Sequence, residues 1–366
     1  MQVTANPCER VAMTLRSLYN QYGYRQYRMS KFEEYDLYAR NKDFLISDNV
    51  ITFTDLSGKL MALKPDVTLS IVKNGKDLPW VQKVYYNENV YRVTKGAHGF
   101  REMTQLGLEA QGAIDDYTIT EVMGLAMESL SAISDEAVLD VSHLAILKEL
   151  TDTIDFPIHS REALVKLISQ KNPHEIAALC ASCGVAPEHS DLLCWLASTS
   201  GSADAVLPQM RSKLTGYVSE KTLSHIEQVL SALDSRMLRL DFSVVDDIHY
   251  YNGFVFKGFV NGIPDSVLSG GQYDKLMKKM NRTAGAIGFA VYMDLLQRLE
   301  SDAAQYDVDA VLLYDEGNLT ALRQAVQTLT NGGTTVLVQR VKPENIRYRK
   351  LLKLNGSEVV TLEENA

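Results

Sequence analysis

The sequence predicts an α+β fold in which helices flank an antiparallel sheet. Strand-rich and helix-rich blocks are segregated along the chain, whereas a doubly wound parallel sheet would require them to alternate. Two long strand candidates, Val81 to Tyr91 and Phe100 to Gly112, are joined by a short polar connection, as in an antiparallel pair. A mainly helical block over about 144–235 precedes a second group of strands, which indicates a helical insertion.

Composition and charge narrow the class of protein. The 366 residues are 46% hydrophobic and 23% charged, which is ordinary for a globular chain and gives no sign of disorder. The formal net charge of -9 does not support nonspecific nucleic-acid binding, because such binding requires surplus Lys and Arg. No apolar run is long enough to cross a bilayer, and the N-terminus lacks the apolar core of a signal peptide. We therefore expect a soluble, cytoplasmic protein.

The first predicted elements are a helix and a hairpin. Asn6 is a suitable N-cap and Pro7 suits the first helical position, while Gly23 ends the apolar stripe that follows. Alternation over Val50 to Asp55, a Ser-Gly turn and a return over Leu60 to Leu63 predict a β-hairpin.

The second half of the chain changes character twice. A helix is predicted over Thr118 to Ile133, and the helical block after it is broken at prolines and at Gly184. Strand character resumes at Leu238 to Val245 and at Gly253 to Asn261. After Gln305 a short βαβ-like pattern follows, so we expect one domain over 1–300 and a short α/β domain over 306–366.

A Cys-x-x-Cys pair raises the question of a metal site. Cys180 and Cys183 have one further cysteine and two histidines nearby, and a zinc site would need four well-spaced ligands. The alternative, which we favour, is that both cysteines pack on a helix that Gly184 ends in a left-handed conformation. We therefore expect no metal and no cofactor.

The second long strand gives the clearest sign of a binding site. Because side chains alternate between the faces of a strand, one face here is polar and the other apolar. The polar face carries Arg101, Met103, Gln105, Gly107, Glu109 and Gln111. The central glycine would let a ligand approach the backbone, while Gln105 and Glu109 would supply directed hydrogen bonds. A solvated sheet face is the alternative.

Two further groups could bind a charged ligand. Asp66 and Thr68 are two residues apart, so in an extended segment they would face the same way and could hold an ammonium group. A turn or a helix cap is the alternative for this pair. Arg92 has the planar donors that suit a carboxylate or phosphate, and the alternative is an exposed ion pair.

Two aromatic segments complete the candidates. Tyr250 and Tyr251 could wall a pocket around a planar ring and present hydroxyls to it. Ser269 to Asp274 is a second, glycine-containing segment of the same kind. Packing in the core or at a sheet edge is the alternative for both.

Five segments, taken in order, resemble the histidyl-tRNA synthetases, which are class II aminoacyl-tRNA synthetases. They are FTDLSGKLMALKPDVT, VYYNENVYRVTKGAHGFREMTQLGLEAQG, HYYNGFVFKGFV, SGGQYDKL and AGAIGFAVYMDLL. They are similar to the hairpin ending in an Arg-Pro-Glu-Gly-Thr-type sequence, to motif 2, to the Tyr-Tyr segment, to a Gly-Gly-Arg-Tyr-Asp segment and to motif 3. The resemblance covers roughly residues 5–300. It implies a class II synthetase-like antiparallel sheet flanked by helices, followed by a truncated anticodon-binding-like domain.

Departures from the family pattern imply that aminoacylation is lost. Thr94 stands where motif 2 has a glutamate, and Leu295 where motif 3 has the arginine that holds the γ-phosphate. Asp246 replaces an arginine before the Tyr-Tyr segment, and its carboxylate would repel both ATP and a substrate carboxylate. Ser30 and Gln272 replace the motif 1 proline and the arginine of the Gly-Gly-Arg segment. We therefore assign no catalytic residue.

The residues that contact histidine in the family are better kept. They are Asp66 in place of glutamate, Thr68, Gln105, Glu109, Tyr250 and Tyr251, to which we add Arg92 as the cation nearest the ligand carboxylate. A kept amino-acid pocket without an ATP clamp resembles the ATP phosphoribosyltransferase regulatory subunits. The resemblance implies a self-dimer that joins a short-form catalytic subunit in the first step of histidine biosynthesis, with L-histidine as effector. Neither transfer RNA nor a membrane is expected as a partner.

Two other functions stay open at this stage. One is a divergent histidyl-tRNA synthetase, which Leu295 and Asp246 argue against because they remove cations that ATP would need. The other is a synthetase-like interaction module that no longer binds histidine, which Asp246 and Gln272 leave open.

Overall fold

The computed structural model describes residues 7–45, 49–93, 99–245, 250–297, 306–315 and 319–365. The chain divides into two compact units, one formed by residues 10–296 and the other by residues 1–9 and 297–366. Within these described ranges, no helix combines the length and the apolar character that a membrane span requires.

The larger unit contains twelve named strands. They are β1 (Arg25–Gln26), β2 (Phe32–Glu34), β3 (Thr52–Thr54), β4 (Leu60–Leu63), β5 (Gln82–Val93), β6 (Phe100–Gly112), β7 (Ala137–His143), β8 (Ser200–Ser202), β9 (Leu238–Asp241), β10 (Phe254–Val260), β11 (Leu268–Gln272) and β12 (Gly285–Tyr292). Nine of them form one sheet in the order β1-β5-β6-β12-β11-β10-β7-β9-β8, and β2, β4 and β3 form a small second sheet.

Helices cover the large sheet and form the insertion. They are α1 (Pro7–Gln21), α2 (Tyr35–Arg40), α3 (Thr68–Asn74), α4 (Asp116–Ser131), α5 (Leu144–Thr153), α6 (Arg161–Ser169), α7 (Pro173–Ser182), α8 (Pro187–Ser198), α9 (Ala203–Leu214), α10 (Glu220–Ser231), α11 (Asp274–Lys279) and α12 (Met293–Leu296). The helix and the hairpin predicted near the N-terminus are both present, as α1 and as β3 with β4.

The large sheet is antiparallel except at two pairs. β1 runs parallel to β5, and β7 runs parallel to β9. Parallel neighbours need a long crossover connection, and in both cases several helices or strands lie between the two partners in the chain. The predicted antiparallel arrangement therefore holds at the centre of the sheet, while the sheet as a whole is mixed.

The centre of the large sheet has one apolar face, which helices α1 and α4 cover. Leu106 and Leu108 of β6 are fully buried there, and the ring of Tyr19 from α1 lies 6.0 Å from that of Phe289 on β12. The hydroxyls of Tyr19 and of Ser129 in α4 share a hydrogen bond of 2.8 Å. Because helices cover this face, the opposite face of β6 is available for a binding site.

The helical block contains one feature that its pattern did not predict. Strand β8 pairs antiparallel with β9 and extends the large sheet by one edge strand. At the Cys-x-x-Cys pair, α7 ends at Ser182 and Gly184 adopts a φ of 70°, the left-handed cap expected there. The part of the chain that the structure describes contains no group of His, Cys, Asp or Glu arranged to hold a metal ion.

The smaller unit is a four-stranded sheet with one described helix. Its elements are β13 (Val308–Tyr314), α13 (Leu319–Asn331), β14 (Val336–Gln339), β15 (Tyr348–Asn355) and β16 (Glu358–Glu364). The order is β14-β13-β15-β16, with β16 antiparallel to β15 and the other pairs parallel. Ala325 of α13 packs with Leu312 and Leu352 in a small core. The predicted limits of the two domains and of the insertion stay predictions.

A buried histidine is expected to make the stability of the larger unit sensitive to acid. His143 ends β7 with 8% of its surface exposed, and within the described ranges its Nδ1 has no hydrogen-bond partner. The rings of Phe254 and His225 face it edge-on at 4.7 and 5.8 Å. Burial, and then the positive charge of His225, lower the pKa of His143 to about 4, while Glu149 opposes this shift. His225 itself lies 3.0 Å from a carboxylate oxygen of Asp116.

We expect the substitution His143→Phe to reduce the loss of stability in acid. Between about pH 6.5 and 4 the unfolded histidine binds a proton that the folded one does not, so stability falls as the pH is lowered through this range. The effect amounts to about 2–3 kcal/mol, and urea unfolding at a series of pH values measures it. The exposed His159→Gln is the control. Equal pH dependence in wild type and His143→Phe would show that His143 is protonated in the folded chain.

Candidate functional site

A cavity of about 380 Å³ lies on the face of the large sheet that α1 and α4 leave free. All seven residues predicted from the sequence line it: Asp66, Thr68, Arg92, Gln105, Glu109, Tyr250 and Tyr251. They come from the start of α3, from β5 and β6, and from the loop before β10. The structure therefore brings together side chains that are up to 185 residues apart in the sequence, the separation of Asp66 and Tyr251.

Three glycines lie on the face of the sheet that carries the cavity, and Gly288 lines it. Gly107 of β6, Gly288 of β12 and Gly271 of β11 share the cavity face, because Gly288 pairs with both Glu109 and Gly271. A Cβ at Gly288 would lie 1.8 Å from Oε2 of Glu109, and one at Gly107 would lie 2.2 Å from the carbonyl oxygen of Phe289. A Cβ at Gly107 would also lie 2.6 Å from the hydroxyl of Tyr86, and one at Gly271 would lie 2.8 Å from Cδ1 of Tyr251. These glycines therefore leave room for the protein's own side chains, and the backbone at Gly107 is not open to a ligand as the sequence predicted.

Glu109 is buried at the bottom of the cavity, with 3% of its surface exposed. Thr68 donates a hydrogen bond of 2.8 Å to its Oε1, and Tyr273 donates one of 2.7 Å to its Oε2. Burial raises the pKa of Glu109 to about 8, an effect that these two hydrogen bonds oppose and that nearby Asp66 reinforces. Glu109 therefore carries a proton near neutral pH that it can exchange with a basic ligand.

The segment before α3 is a helix start rather than an extended strand. Val67 has helical dihedrals, Thr68 is the first residue of α3, and Oδ1 of Asp66 accepts a hydrogen bond of 2.8 Å from the backbone N–H of Leu69. The extended interpretation of this pair is wrong, and the helix-cap alternative is right. Both side chains still reach the cavity, and burial raises the pKa of Asp66 while its backbone hydrogen bonds and Arg92 lower it.

Arg92 is buried rather than exposed, which excludes a surface ion pair. Only 4% of its surface is accessible, and its Nε has no hydrogen-bond partner in the described part of the chain. Its positive charge acts on Asp66. Across the β5–β6 ladder it lies opposite Arg101, which is exposed. Like charges directly opposite one another are unfavourable, so this end of the cavity attracts an anion.

Gln105 occupies the middle of the polar face. It pairs across the sheet with Glu88 on β5 and with Tyr292 on β12, and it is 96% buried, since 4% of its surface is exposed. Lys64, which is fully buried, forms an ion pair with Glu88 and neutralises that carboxylate. Sequence reasoning did not identify Lys64, because the ion pair joins two segments that only the fold brings together.

The two tyrosines form an aromatic wall. Their rings lie 4.7 Å apart at 70° to one another, and Phe44 and Tyr273 contact Tyr250 at ring distances of 6.0 and 5.9 Å. Tyr273 was missed as a site residue, although the segment that contains it was a candidate. Its position directly after β11, two residues beyond Gly271 on the same face, was the available signal.

Comparison with known proteins identifies the family. The family model for histidyl-tRNA synthetase matches residues 2–296. The chain belongs to the histidyl-tRNA synthetase family. It is 25% identical over 339 residues to an ATP phosphoribosyltransferase regulatory subunit of Acetivibrio thermocellus. This alignment covers 88% of the present chain and 81% of the relative.

Solved structures confirm the class II synthetase-like fold of this family member. A structure from Bacillus halodurans, described as an ATP phosphoribosyltransferase regulatory subunit/histidyl-tRNA synthetase, aligns with a TM-score of 0.77 at 21% identity and covers 95% of this chain and 93% of that one. An ATP phosphoribosyltransferase complex from Thermotoga maritima aligns with a TM-score of 0.61 at 18% identity, over 79% and 97%. The resemblance to ATP phosphoribosyltransferase regulatory subunits that the sequence indicated is confirmed by relatives with that name.

The positions interpreted from the sequence as departures from the synthetase pattern lie in different surroundings. Thr94 and Asp246 lie outside the described residues. Leu295 is half-buried in α12, and Ser30 is exposed, where its Oγ accepts a hydrogen bond from the N–H of Phe32. Gln272 pairs with Ile287, which in turn pairs with Ala110, so its side chain lies on the face of the sheet opposite Glu109. The departure at Gln272 therefore takes no charge from the cavity.

Proposed function

We propose that this chain is a non-catalytic regulatory subunit of ATP phosphoribosyltransferase that binds histidine and controls a short-form catalytic subunit. The observation that carries the proposal is the cavity, in which all seven predicted histidine contacts meet. Curated relatives of similar length are ATP phosphoribosyltransferase regulatory subunits, and a related fold occurs in the complex from T. maritima. The partner and the pathway follow from those relatives.

The cavity offers complementary groups to each part of histidine. Glu109 lies where a carboxyl oxygen can accept an imidazole N–H, and its raised pKa lets it share a proton with that ring. Asp66 and Gln105 supply acceptors for the α-ammonium group. Arg92, buried beside Asp66, supplies a cation for the α-carboxylate.

The tyrosines determine which ring the cavity accepts. Tyr250 and Tyr251 both line the cavity with their rings at 70° to one another, and aromatic walls of this kind suit a flat ring of imidazole size. Histidine is thus recognised by its charge at one end and by its ring at the other, and this combination distinguishes it from aliphatic amino acids.

The absence of adenylation follows from charge. A synthetase stabilises the phosphates of ATP with placed cations, and the motif 3 position is Leu295 in this chain. The Asp246 carboxylate, by its sign alone, would add repulsion. The divergent-synthetase alternative predicts histidine-dependent ATP–pyrophosphate exchange, whereas a regulatory subunit catalyses none.

Reconstitution tests the proposal. A short-form phosphoribosyltransferase is mixed with this chain, and the rate is measured with and without L-histidine. We expect the chain to form a complex, to raise the rate, and to make that rate fall when histidine is added. The variant Glu109→Ala should still raise the rate but lose most of the histidine response. Failure to form a complex, or robust pyrophosphate exchange by the chain alone, would reject the regulatory function.

We further expect the chain to self-associate through the outer face of the small sheet. Phe32 pairs with Leu63 and Phe53 pairs with Met61, so these four apolar side chains share one face, while Ala62 on the other face is fully buried. Phe32 and Phe53 are 47% and 37% exposed, and their rings lie 5.1 Å apart. An exposed apolar face of this kind is typical of a contact between subunits.

Mass measurement in solution tests this expectation. Wild type should sediment as a dimer at micromolar concentration, with about twice the mass of one 40.9 kDa chain. Phe53→Lys should raise the dimer dissociation constant at least about tenfold, because a charge would be buried without a partner. Ile158→Lys, at an apolar position that is 82% exposed elsewhere, is the control. A strict monomer, or an unchanged dimer in Phe53→Lys, contradicts the assignment of this face.

A further inference from the structure

The loop that carries Tyr250 and Tyr251 is hydrogen-bonded to strand β11 beyond the end of the β10–β11 pairing. Regular pairing of β10 with β11 ends at Val255 and Gly271. One residue further, the N–H of Asn252 donates to the carbonyl oxygen of Gln272 at 3.0 Å. The side chain of Gln272 then turns back, and its Oε1 accepts a hydrogen bond of 2.8 Å from the N–H of Phe254. Gln272 thus continues the pairing with both its backbone and its side chain.

A second pair of side chains fixes the same loop. Nδ2 of Asn252 donates to Oδ2 of Asp274 at 3.0 Å, and Oδ1 of Asn252 accepts the N–H of Asp274 at 2.7 Å. The other carboxylate oxygen of Asp274 accepts the N–H of Ala286 on β12 at 2.9 Å. The loop is therefore tied to two strands of the large sheet through Asn252.

Gln272 fits this place by size and by chemistry. A Cβ at Gly253 would lie 2.0 Å from its Oε1, so the glycine leaves the space that the amide fills. Phe254 is fully buried, and its N–H would lose its acceptor if the amide were removed. An arginine, which the synthetase pattern has here, carries only donors and cannot accept this N–H. The glutamine therefore makes a hydrogen bond that an arginine at this position could not make.

The hydrogen-bonded loop determines the positions of the Tyr250 and Tyr251 rings. The ring of Tyr251 packs directly on the backbone of β11, since a Cβ at Gly271 would lie 2.8 Å from its Cδ1. Tyr250 precedes it, and its ring lies 5.9 Å from that of Tyr273. A shift of the Asn252–Phe254 backbone would move both rings, because they belong to the same short segment.

We propose that Gln272 is a positioning residue, which holds Tyr250 and Tyr251 against the cavity and thereby sets its affinity for histidine. The second part of this statement rests on the proposed function, whereas the first part concerns only the loop. Gln272 acts from the opposite face of the sheet and touches no ligand, so its effect passes through the backbone of Phe254.

Two variants at position 272 separate positioning from simple packing. Gln272→Met keeps the length of the side chain but has no strong acceptor, whereas Gln272→Glu keeps an oxygen that accepts the N–H of Phe254. We expect Gln272→Met to weaken histidine binding about tenfold, which corresponds to one unsatisfied buried N–H, and Gln272→Glu to stay within about threefold of wild type. Isothermal titration calorimetry measures both.

Hydrogen exchange read by mass spectrometry gives a second readout on the full chain. Peptides that cover 250–256 should exchange at least about tenfold faster in Gln272→Met and near the wild-type rate in Gln272→Glu, while peptides of α4 stay unchanged in both. Equal affinity and equal exchange in Gln272→Met and wild type overturn the proposal, as does a Gln272→Glu chain that behaves like Gln272→Met. If wild type binds no histidine, the proposed function fails, and the exchange of 250–256 alone then decides on the positioning role.

Discussion

Replacing Glu109 by alanine is expected to lower the affinity for histidine more than tenfold. Glu109 is the buried acceptor at the bottom of the cavity, held by Thr68 and Tyr273 at 2.8 and 2.7 Å. When histidine binds, the proton of Glu109 can pass to the imidazole, which leaves a buried charge pair. Removing one partner of such a pair costs about 2–5 kcal/mol, since the ligand N–H and the two hydroxyls are left unpaired. Calorimetric titration of histidine into the variant measures this loss.

The control lies on the same strand. Glu102→Ala removes an exposed carboxylate from the other face of β6, where it accepts hydrogen bonds from Asn89 and Tyr91. Its affinity for histidine should equal that of wild type. Gln105→Ala, on the cavity face, should show an intermediate loss because a neutral amide contributes less than a carboxylate. If histidine binds wild type, Glu109→Ala and Gln105→Ala equally, the binding site lies elsewhere in the molecule.

The same carboxyl group should make the free chain less stable as the pH rises. The folded pKa of Glu109 is raised to about 8, whereas the unfolded side chain titrates at its ordinary value of 4.5. Between these values the unfolded chain has lost a proton that the folded chain keeps, so the free energy of unfolding decreases as the pH rises. The contribution of Glu109 is complete below about pH 4.5 and is lost as the pH passes through about 8.

The variant Glu109→Gln should remove this dependence. Its neutral amide does not titrate, so its free energy of unfolding relative to wild type should increase by about 4 kcal/mol from pH 4.5 to 8.5. Urea unfolding of both chains at each pH gives the difference, in which titrating groups that do not interact with Glu109, such as His143, cancel. Asp66 is coupled to Glu109 and contributes to the difference through that coupling. Glu102→Gln is the matched control. A difference that stays flat across this range would show that a folded Glu109 is ionised at neutral pH.

Local periodicity accounts for what was predicted about the site. Gln105 and Glu109 were placed on one face of β6 from alternation alone, and the structure places both on the cavity. Alternation depends only on the geometry of the strand, so it can be read without knowledge of its neighbours. The start of α1 and the cap at Gly184 were predictable for the same reason, because proline and glycine restrict or release their own backbone dihedrals.

Segments without a local signature escaped prediction. Strand β7 was not recognised because it lies between two helices, and β8 because it has only three residues. Strand β15 was not recognised either. The two parallel pairs of the large sheet were also missed, because strand direction depends on how the chain returns and not on the strand itself. Asp66 was assigned an extended backbone, whereas the helix that follows gives its carboxylate a capping role.

The sequence by itself determined the family, the antiparallel pairing of β5 with β6 and the identity of seven residues that line the cavity. Only the tertiary structure decided how those residues behave. Tyr273 meets Glu109 across 164 positions of the chain, and Arg92 loses its solvent because other segments cover it. Gln272 lies on the far face of the sheet, where it contacts a backbone N–H instead of a ligand. Burial and contacts between distant segments determine the charge, the pKa and the orientation of these side chains. Such contacts depend on the packing of the whole unit and cannot be read from a local sequence pattern.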